Sequence, residues 1–175
     1  MKKLLVVVDM QNDFIDGSLG SPEALAIVPN VVKKIDGWDG DIIMTRDTHL
    51  NNYLKTREGR YLPIKHCIKG TEGHEIYPDV LDAALRVGEA TNLCVINKET
   101  FGSTVLPELI KSERYESVEL VGLCTDICVV SNAMLIKARF PELDITVDSS
   151  CCAGVTPDSH NAALTTMKMC QIEVL

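Results

Sequence analysis

Apolar residues along this chain come in short runs that alternate with stretches of helical spacing. The runs Leu4–Val8, Asp41–Thr45, Asn92–Asn97, Ser117–Leu123, Asp144–Val147 and Gln171–Val174 are predicted as strands. They are brief and mostly apolar, the pattern of parallel strands buried on both faces. Helices are predicted at about Pro22–Lys34, Val80–Leu85, Thr104–Lys111, Asp126–Ala138 and Asp158–Met169. Pro22 and Pro157 fall at or near helix starts, where a missing N–H costs little. Strand and helix alternate from end to end, so an α/β fold is expected, a mainly parallel sheet covered by helices on both faces. No repeat, low-complexity tract or linker interrupts the pattern. The 175 residues suffice for one well-buried core, and a single domain over residues 1–175 is expected.

Charge narrows the partners. The formal net charge is −8, and no basic stripe is visible, which argues against nucleic acid or an anionic membrane surface. The segment from Met1 to Val8 has the look of a signal peptide, but its apolar run is too short and Asp9, Gln11, Asn12 and Asp13 end it at once. No apolar stretch approaches the roughly 20 residues that cross a bilayer. Without a targeting segment the expected location is the cytoplasm. The seven cysteines are odd in number and follow no framework spacing, so they are read as reduced. Most of them, Cys151 and Cys152 included, are expected to pack as small hydrophobes.

In parallel α/β sheets, ligands lie beyond the carboxyl ends of the strands. The residues just past those ends are Asp9, Asp47 with His49, Lys98, and Cys124 to Cys128. Acid, imidazole, ammonium and thiol therefore converge on one sheet edge. Cys128 is expected in the first turn of a helix that directly follows a strand. Unpaired N–H groups and the helix dipole there would lower the thiol's pKa and could hold an oxyanion. Asp9 alone is as readily a turn cap as an acid/base; beside a nucleophilic thiol, a partly desolvated carboxylate becomes the general acid/base. Lys98 alone is an ordinary surface lysine, but directly after a buried strand it points to the cleft, where its charge would favour a thiolate.

Asp47 and His49 are two apart and share one side of an extended chain. With His66 they make a three-ligand metal set with open positions, and Glu58 offers a fourth. Carboxylate and imidazole suit zinc, iron or manganese. Taken singly, each is an ordinary polar loop residue. His74 is expected at the surface. The stretch from Leu50 to Asp79 has little periodicity and reads as a long functional excursion.

Five motifs extend these observations. They are Asp9-Met10-Gln11-Asn12-Asp13-Phe14; Thr45-Arg46-Asp47-Thr48-His49; Leu62-Pro63-Ile64-Lys65-His66-Cys67 with the Gly70-Thr71-Glu72-Gly73 that follows it; Lys98-Glu99-Thr100-Phe101-Gly102-Ser103; and Gly122-Leu123-Cys124-Thr125-Asp126-Ile127-Cys128-Val129. In this order the chain resembles the isochorismatase-like cysteine hydrolase superfamily, and within it most of all the nicotinamidases. The resemblance covers nearly the whole chain. It implies a Rossmann-like three-layer α/β/α sandwich with a six-stranded sheet in order 3-2-1-4-5-6. It also implies an Asp9–Lys98–Cys128 triad, a cis peptide between Leu123 and Cys124, and an oxyanion hole from the N–H groups of Cys124 and Cys128. A divalent metal, zinc first among the candidates, is implied on Asp47, His49 and His66, with Glu58 matching a further ligand of some relatives. Phe14, Leu62 and Phe101 match pocket positions; Leu62 stands where nicotinamidases often carry tryptophan, which implies a wider pocket. A homo-oligomer is implied as well.

The chemistry so implied is hydrolysis of nicotinamide to nicotinate and ammonia through a thioester, a step of pyridine nucleotide salvage. The nearest alternative is the same chemistry on another small amide, carbamoyl or ureido compound, which would not need the metal set. A metal- or ligand-binding protein without catalysis is a second alternative. A redox thiol protein is a third, although Cys124 and Cys128 do not have the Cys-x-x-Cys spacing.

Overall fold

A computed structural model describes residues 2–88, 92–110 and 114–175. The chain runs β1 (Lys2–Val8), α1 (Asn12–Ile15), α2 (Pro22–Asp36), β2 (Asp41–Asp47), α3 (Arg57–Tyr61), α4 (Pro78–Gly88), β3 (Leu93–Lys98), α5 (Val105–Leu109), β4 (Tyr115–Leu123), α6 (Val130–Arg139), β5 (Asp144–Ala153), α7 (Pro157–Met169) and β6 (Glu173–Val174). The six strands form one sheet in order β3-β2-β1-β4-β5-β6, and every pairing is parallel. This is the expected α/β architecture.

The central strand shows why the sheet is buried on both faces. Leu4 to Val8 are all fully buried. Their side chains alternate: Leu5 and Val7 join one core with α2 and α4, while Leu4, Val6 and Val8 join a second core that holds residues of α5, α6 and α7. Each aliphatic side chain so buried contributes about 1.5–3 kcal/mol. α2 starts where Ser21 accepts a hydrogen bond from the Ala24 N–H, with Pro22 in its first turn, and it buries Ala24, Ile27, Val28, Val31 and Ile35. α7 starts at Thr156, whose hydroxyl accepts from Ser159 N–H while Ser159 answers the Thr156 N–H.

Several expected boundaries shift. β5 continues past Val147 through Asp148-Ser149-Ser150-Cys151-Cys152 to Ala153; these small and polar residues carry no clean apolar alternation, so its full length was not readable. The expected helix at Thr104–Lys111 is confined to Val105–Leu109, and Lys111 lies outside the described residues. α1, α3 and two short turns at Tyr53–Lys55 and Glu72–His74 are too brief to leave a periodic signal. The helix expected from Asp126 begins instead as a π-helical turn over Thr125–Val129 and becomes α-helical at Val130.

Two backbone features shape the carboxyl edge of the sheet. Gly122 has φ +116°, and a Cβ there would collide with the Val8 carbonyl, so only glycine lets β4 lie this close to the end of β1. Asp9 adopts φ 48°, a left-handed conformation that costs a non-glycine residue on the order of 1 kcal/mol and turns the chain sharply out of β1.

Candidate active site

Asp9, Lys98 and Cys128 meet at the carboxyl ends of β1, β3 and β4. All three are buried, Asp9 completely. Lys98 Nζ lies 2.6 Å from Asp9 Oδ2, 3.4 Å from Cys128 Sγ and 3.3 Å from Asp47 Oδ1, and it donates to the Thr100 carbonyl at 3.1 Å. Thr45 donates its hydroxyl proton to Asp9 Oδ1 at 2.6 Å. Asp9 Oδ2 has the ion-pair contact but no well-directed hydrogen bond.

The electrostatics of this cluster correct one expectation. Cys128 was expected to have a lowered pKa, and burial instead pushes its thiol well up. The negative charge of Asp9 adds to that rise, and Lys98 opposes it without overcoming it. Burial also raises Asp9, against the pull of Lys98. Burial pulls Lys98 down, but Asp9, Cys128 and Asp47 outweigh it and keep the ammonium charged. Burial therefore holds the Cys128 thiol protonated and moves the Asp9 carboxyl toward keeping a proton.

Cys128 sits in the π-helical turn, where Val129 N–H donates to the Cys124 carbonyl at 3.0 Å, and the Leu123–Cys124 peptide bond is cis. π-turns recur at functional sites because they displace one residue from the helical repeat. Asn132, one turn on and fully buried, fixes this segment: its Nδ2 donates to the Cys128 carbonyl at 2.8 Å, and its Oδ1 accepts from Ser103 N–H at 2.9 Å. It thereby ties the thiol's turn to the loop that follows Lys98. The only sequence signal for it was a polar residue on a buried helix face. Cys124 borders the same space, and burial raises its thiol to about 12.

Beside the triad, Asp47, His49, Glu58 and His66 each direct one ligand atom into a cluster within 4.8 Å of one another. His49 Nε2 is 2.9 Å from Asp47 Oδ2 and 3.4 Å from Glu58 Oε1. His66 Nε2 is 3.5 Å and 3.7 Å from the same two atoms. Although buried, His49 Nε2 makes no hydrogen bond. The Nδ1 of His66 faces the Ile64 carbonyl at 2.9 Å, a contact that orients the ring with Nε2 turned to the cluster. Burial depresses the His49 imidazole, but Asp47 and Glu58 more than offset that and carry it up to about 9. Two imidazole nitrogens and two carboxylates in a field that favours positive charge fit a divalent metal ion.

The frame behind this cluster went unread in the sequence. Gln11, fully buried, accepts from Asp47 N–H at 2.7 Å and donates to the Asp47 and His74 carbonyls at 2.9 and 2.8 Å. Asp13 accepts from Cys67 N–H at 2.7 Å, beside His66. Tyr53, fully buried, places its ring 4.6 Å from that of His49 and 4.9 Å from that of His66, and its hydroxyl donates to the Leu62 carbonyl at 3.0 Å. His74, expected at the surface, is 2% exposed; its Nε2 shares a hydrogen bond of 2.9 Å with Thr48, which braces the loop between Asp47 and His49.

Cys128 from the first cluster and Asp47, Glu58 and His66 from the second line one cavity of about 560 Å3, with Phe14, Leu62, Phe101 and Cys124 among its other walls. Its volume suits a small organic ligand. Chemically this is a parallel α/β domain that brings a thiol, a carboxylate and an ammonium together beside a metal-type cluster. The chain matches the Isochorismatase domain family over residues 3–175, and it belongs to that family. An uncharacterized isochorismatase family protein PncA of Bacillus subtilis is 30% identical over 174 residues, covering 94% of this chain and 93% of the relative. A crystal structure of the nicotinamidase/pyrazinamidase PncA from Bacillus subtilis has a TM-score of 0.85 at 26% identity, covering 99% of each chain. The pyrazinamidase of Pyrococcus horikoshii in complex with zinc has a TM-score of 0.80 at 27% identity, covering 100% of this chain and 99% of its own. Among the described residues, no helix is long and apolar enough to cross a membrane.

Proposed function

We propose that this chain is a cysteine amidohydrolase of one domain that converts nicotinamide to nicotinate and ammonia. The observation that carries the proposal is the ammonium of Lys98 in contact with both Asp9 Oδ2 and Cys128 Sγ, with Cys128 lining the cavity. Asp9 takes the thiol proton as the substrate arrives, and Lys98 stabilises the charges that result. Sulfur attacks the carboxamide carbon. The N–H groups of Cys124 and Cys128 receive the oxyanion, each such donor contributing about 3 kcal/mol. Asp9 returns its proton to the departing nitrogen, the C–N bond breaks, and ammonia leaves a thioester on Cys128. Asp9 then draws a proton from water, which attacks the thioester, and nicotinate leaves as the thiol re-forms.

Asp47, His49, His66 and Glu58 would hold a divalent metal, zinc by likeness to the Pyrococcus horikoshii structure. A metal bound there supplies a Lewis-acid contact for a ring nitrogen of the substrate, apart from the nucleophile. Phe14, Leu62 and Phe101 border the ring.

The test is ammonia release from nicotinamide by the purified protein and by Cys128→Ala, with metal analysis of both. Release by the wild type alone, with about one divalent ion per chain, supports the assignment. Metal-loaded wild type that releases no ammonia rejects nicotinamide and turns the search to other small amides.

A further inference from the structure

The N–H groups of Cys124 and Cys128 are proposed above to receive the oxyanion, and the turn that joins them is tied to different elements at its two ends. Asn132 ties the Cys128 carbonyl to the loop that follows β3. At the other end the Cys124 carbonyl accepts from the N–H groups of Ile127 and Val129 at 3.1 and 3.0 Å, bonds internal to the turn. A link from this end to a separate element runs through Thr125. Its hydroxyl and the Nδ1 of His160, in the first turn of α7, share a hydrogen bond of 2.8 Å. Asp126, the next residue, accepts from the Val155 N–H with both oxygens at 3.2 Å. Two consecutive residues of the thiol's turn are therefore joined to the end of β5 and the start of α7.

His160 is itself firmly placed. Its N–H donates to the Thr156 carbonyl at 2.9 Å, inside the capped start of α7. A Cβ on Gly154 would come within 2.9 Å of the His160 backbone nitrogen, so the chain leaving β5 packs directly against it. Thr125 is fully buried. For packing alone, valine has the same shape and needs no partner, whereas a buried hydroxyl must find one or cost stability. A hydroxyl paired with an imidazole, three positions before Cys128, fixes direction as well as volume. Neither side chain is among the walls of the cavity, so the pair works without touching the substrate.

We propose that His160 is a positioning residue of the reaction, which acts through the Thr125 hydroxyl to hold the Cys124 end of the turn where its N–H meets the oxyanion. This rests on the function proposed above. The oxyanion exists in the tetrahedral intermediate and not in the bound amide. A loosened donor therefore slows the chemical step and leaves substrate binding alone. The thiol's own end of the turn is tied by Asn132, so its reactivity toward an agent that forms no oxyanion is preserved.

The experiment sets Thr125→Val, Thr125→Ser, His160→Phe, His160→Asn and the Thr125→Val/His160→Phe double variant against the metal-loaded wild type. Three quantities are read: hydrolysis of nicotinamide, reversible inhibition by pyridine-3-carboxaldehyde, and alkylation of Cys128 by iodoacetamide. The aldehyde probes the oxyanion site, because sulfur bonds to its carbonyl carbon and the π pair moves onto the oxygen. Thr125→Val and His160→Phe should each lower kcat at least about tenfold with KM within about twofold. Each should weaken the aldehyde by a similar factor and leave the alkylation rate within about twofold. Thr125→Ser and His160→Asn, which keep a polar atom at the contact, should recover most of the loss. The double variant should be no worse than either single one, because both cut the same link. His160→Phe, at a half-buried position, carries the test if Thr125→Val does not fold. An unchanged kcat in either folded single variant, or a double loss equal to the product of the single ones, overturns the inference and leaves the function standing. Alkylation that slows in step with kcat, or an unchanged aldehyde affinity, overturns it as well. No ammonia from nicotinamide, with an aldehyde that still binds and is weakened by these variants, upholds the inference and removes nicotinamide as the substrate. Wild type that neither releases ammonia nor binds the aldehyde overturns both.

Discussion

Two buried carboxylates sit at opposite ends of the same sheet, and they are provisioned in opposite ways. At the amino end, Asp41 accepts from Lys2 Nζ and Asn92 Nδ2 at 3.0 Å on one oxygen, and from Arg114 at 2.5 Å and the Tyr115 hydroxyl at 2.8 Å on the other. Burial favours its neutral form, but Asn92, Lys2 and Tyr115 more than compensate, and the carboxyl falls well below the usual carboxylate range. At the carboxyl end, Asp9 has the Thr45 hydroxyl on one oxygen and only the Lys98 ammonium, 2.6 Å away, on the other, and burial raises its pKa. A carboxylate meant to hold the fold is saturated with donors. One meant to exchange a proton must be left short of them. Asp41 staples the start of β2 to β1, β4 and the residue before β3, whereas Asp9, the proposed acid/base, has fewer donors around it.

The largest expected effects separate the two ends. Cys128→Ala and Asp9→Asn should each lower turnover by at least about 10,000-fold, measured as ammonia release. Cys128→Ala should keep a melting temperature within about 4 °C of the wild type. Asp41→Asn should do the reverse: a loss of about 3 kcal/mol in denaturant-measured stability, with kcat of the folded protein intact. An Asp41→Asn variant that is fully stable, or one that is folded but inactive, would break the comparison.

pH sharpens it further. Because the folded-state pKa of Asp41 is lowered, its stabilisation is complete above the ordinary value near 3.9 and is lost as pH falls through the folded value. Between those two values the unfolded chain binds the proton and the native chain does not, so stability rises with pH. The stability gap between wild type and Asp41→Asn should therefore close as pH is lowered below about 4. A gap that stays constant from pH 7 to pH 3 in urea melts would show that Asp41 acts through packing alone.

A middle-sized effect tests the second cluster. Asp47→Ala and His49→Ala should lose the bound divalent metal and raise KM at least about tenfold, with a smaller change in kcat. Chelation of the wild type should reproduce this, and restored metal should reverse it. A pure loss of kcat at unchanged KM would contradict a role in gripping the substrate.

How much of this was legible depends on how each residue is held. Asp9, Lys98 and Cys128 follow strands that read as apolar runs, so the topology of a parallel sheet is enough to bring them to one edge. Gln11, Tyr53 and Asn132 were not assigned, because their work is done by single hydrogen bonds and ring contacts that leave no periodic trace. Tyr53 and Glu58 lie in the aperiodic stretch after β2, where local propensity is weakest. The state of the Cys128 thiol was misjudged for a physical reason: helix position was weighed without the desolvation and the Asp9 charge that only the packed structure reveals. His74 was misplaced for a similar reason, since the polar partners that allow its burial, Thr48 and Gln11, come from the loops after β2 and β1.

The smallest predicted effect is the most specific to the underprovisioned carboxylate. The Thr45 hydroxyl donates to Asp9 Oδ1 at 2.6 Å and is among the interactions that lower the Asp9 pKa. Thr45→Val keeps the shape of a fully packed position but removes that donor, so the ionised carboxylate loses support and its pKa rises further. Asp9 acts on the thiol only when ionised, so the acid limb of the kcat/KM profile should move to higher pH, with a loss of about tenfold at pH 7. Thr45→Ser, which restores the hydroxyl, should return the limb toward its original place. If Thr45→Val leaves the limb unmoved, Asp9 is not the group whose ionisation limits the reaction, and the proton acceptor must be sought elsewhere at the edge of the sheet.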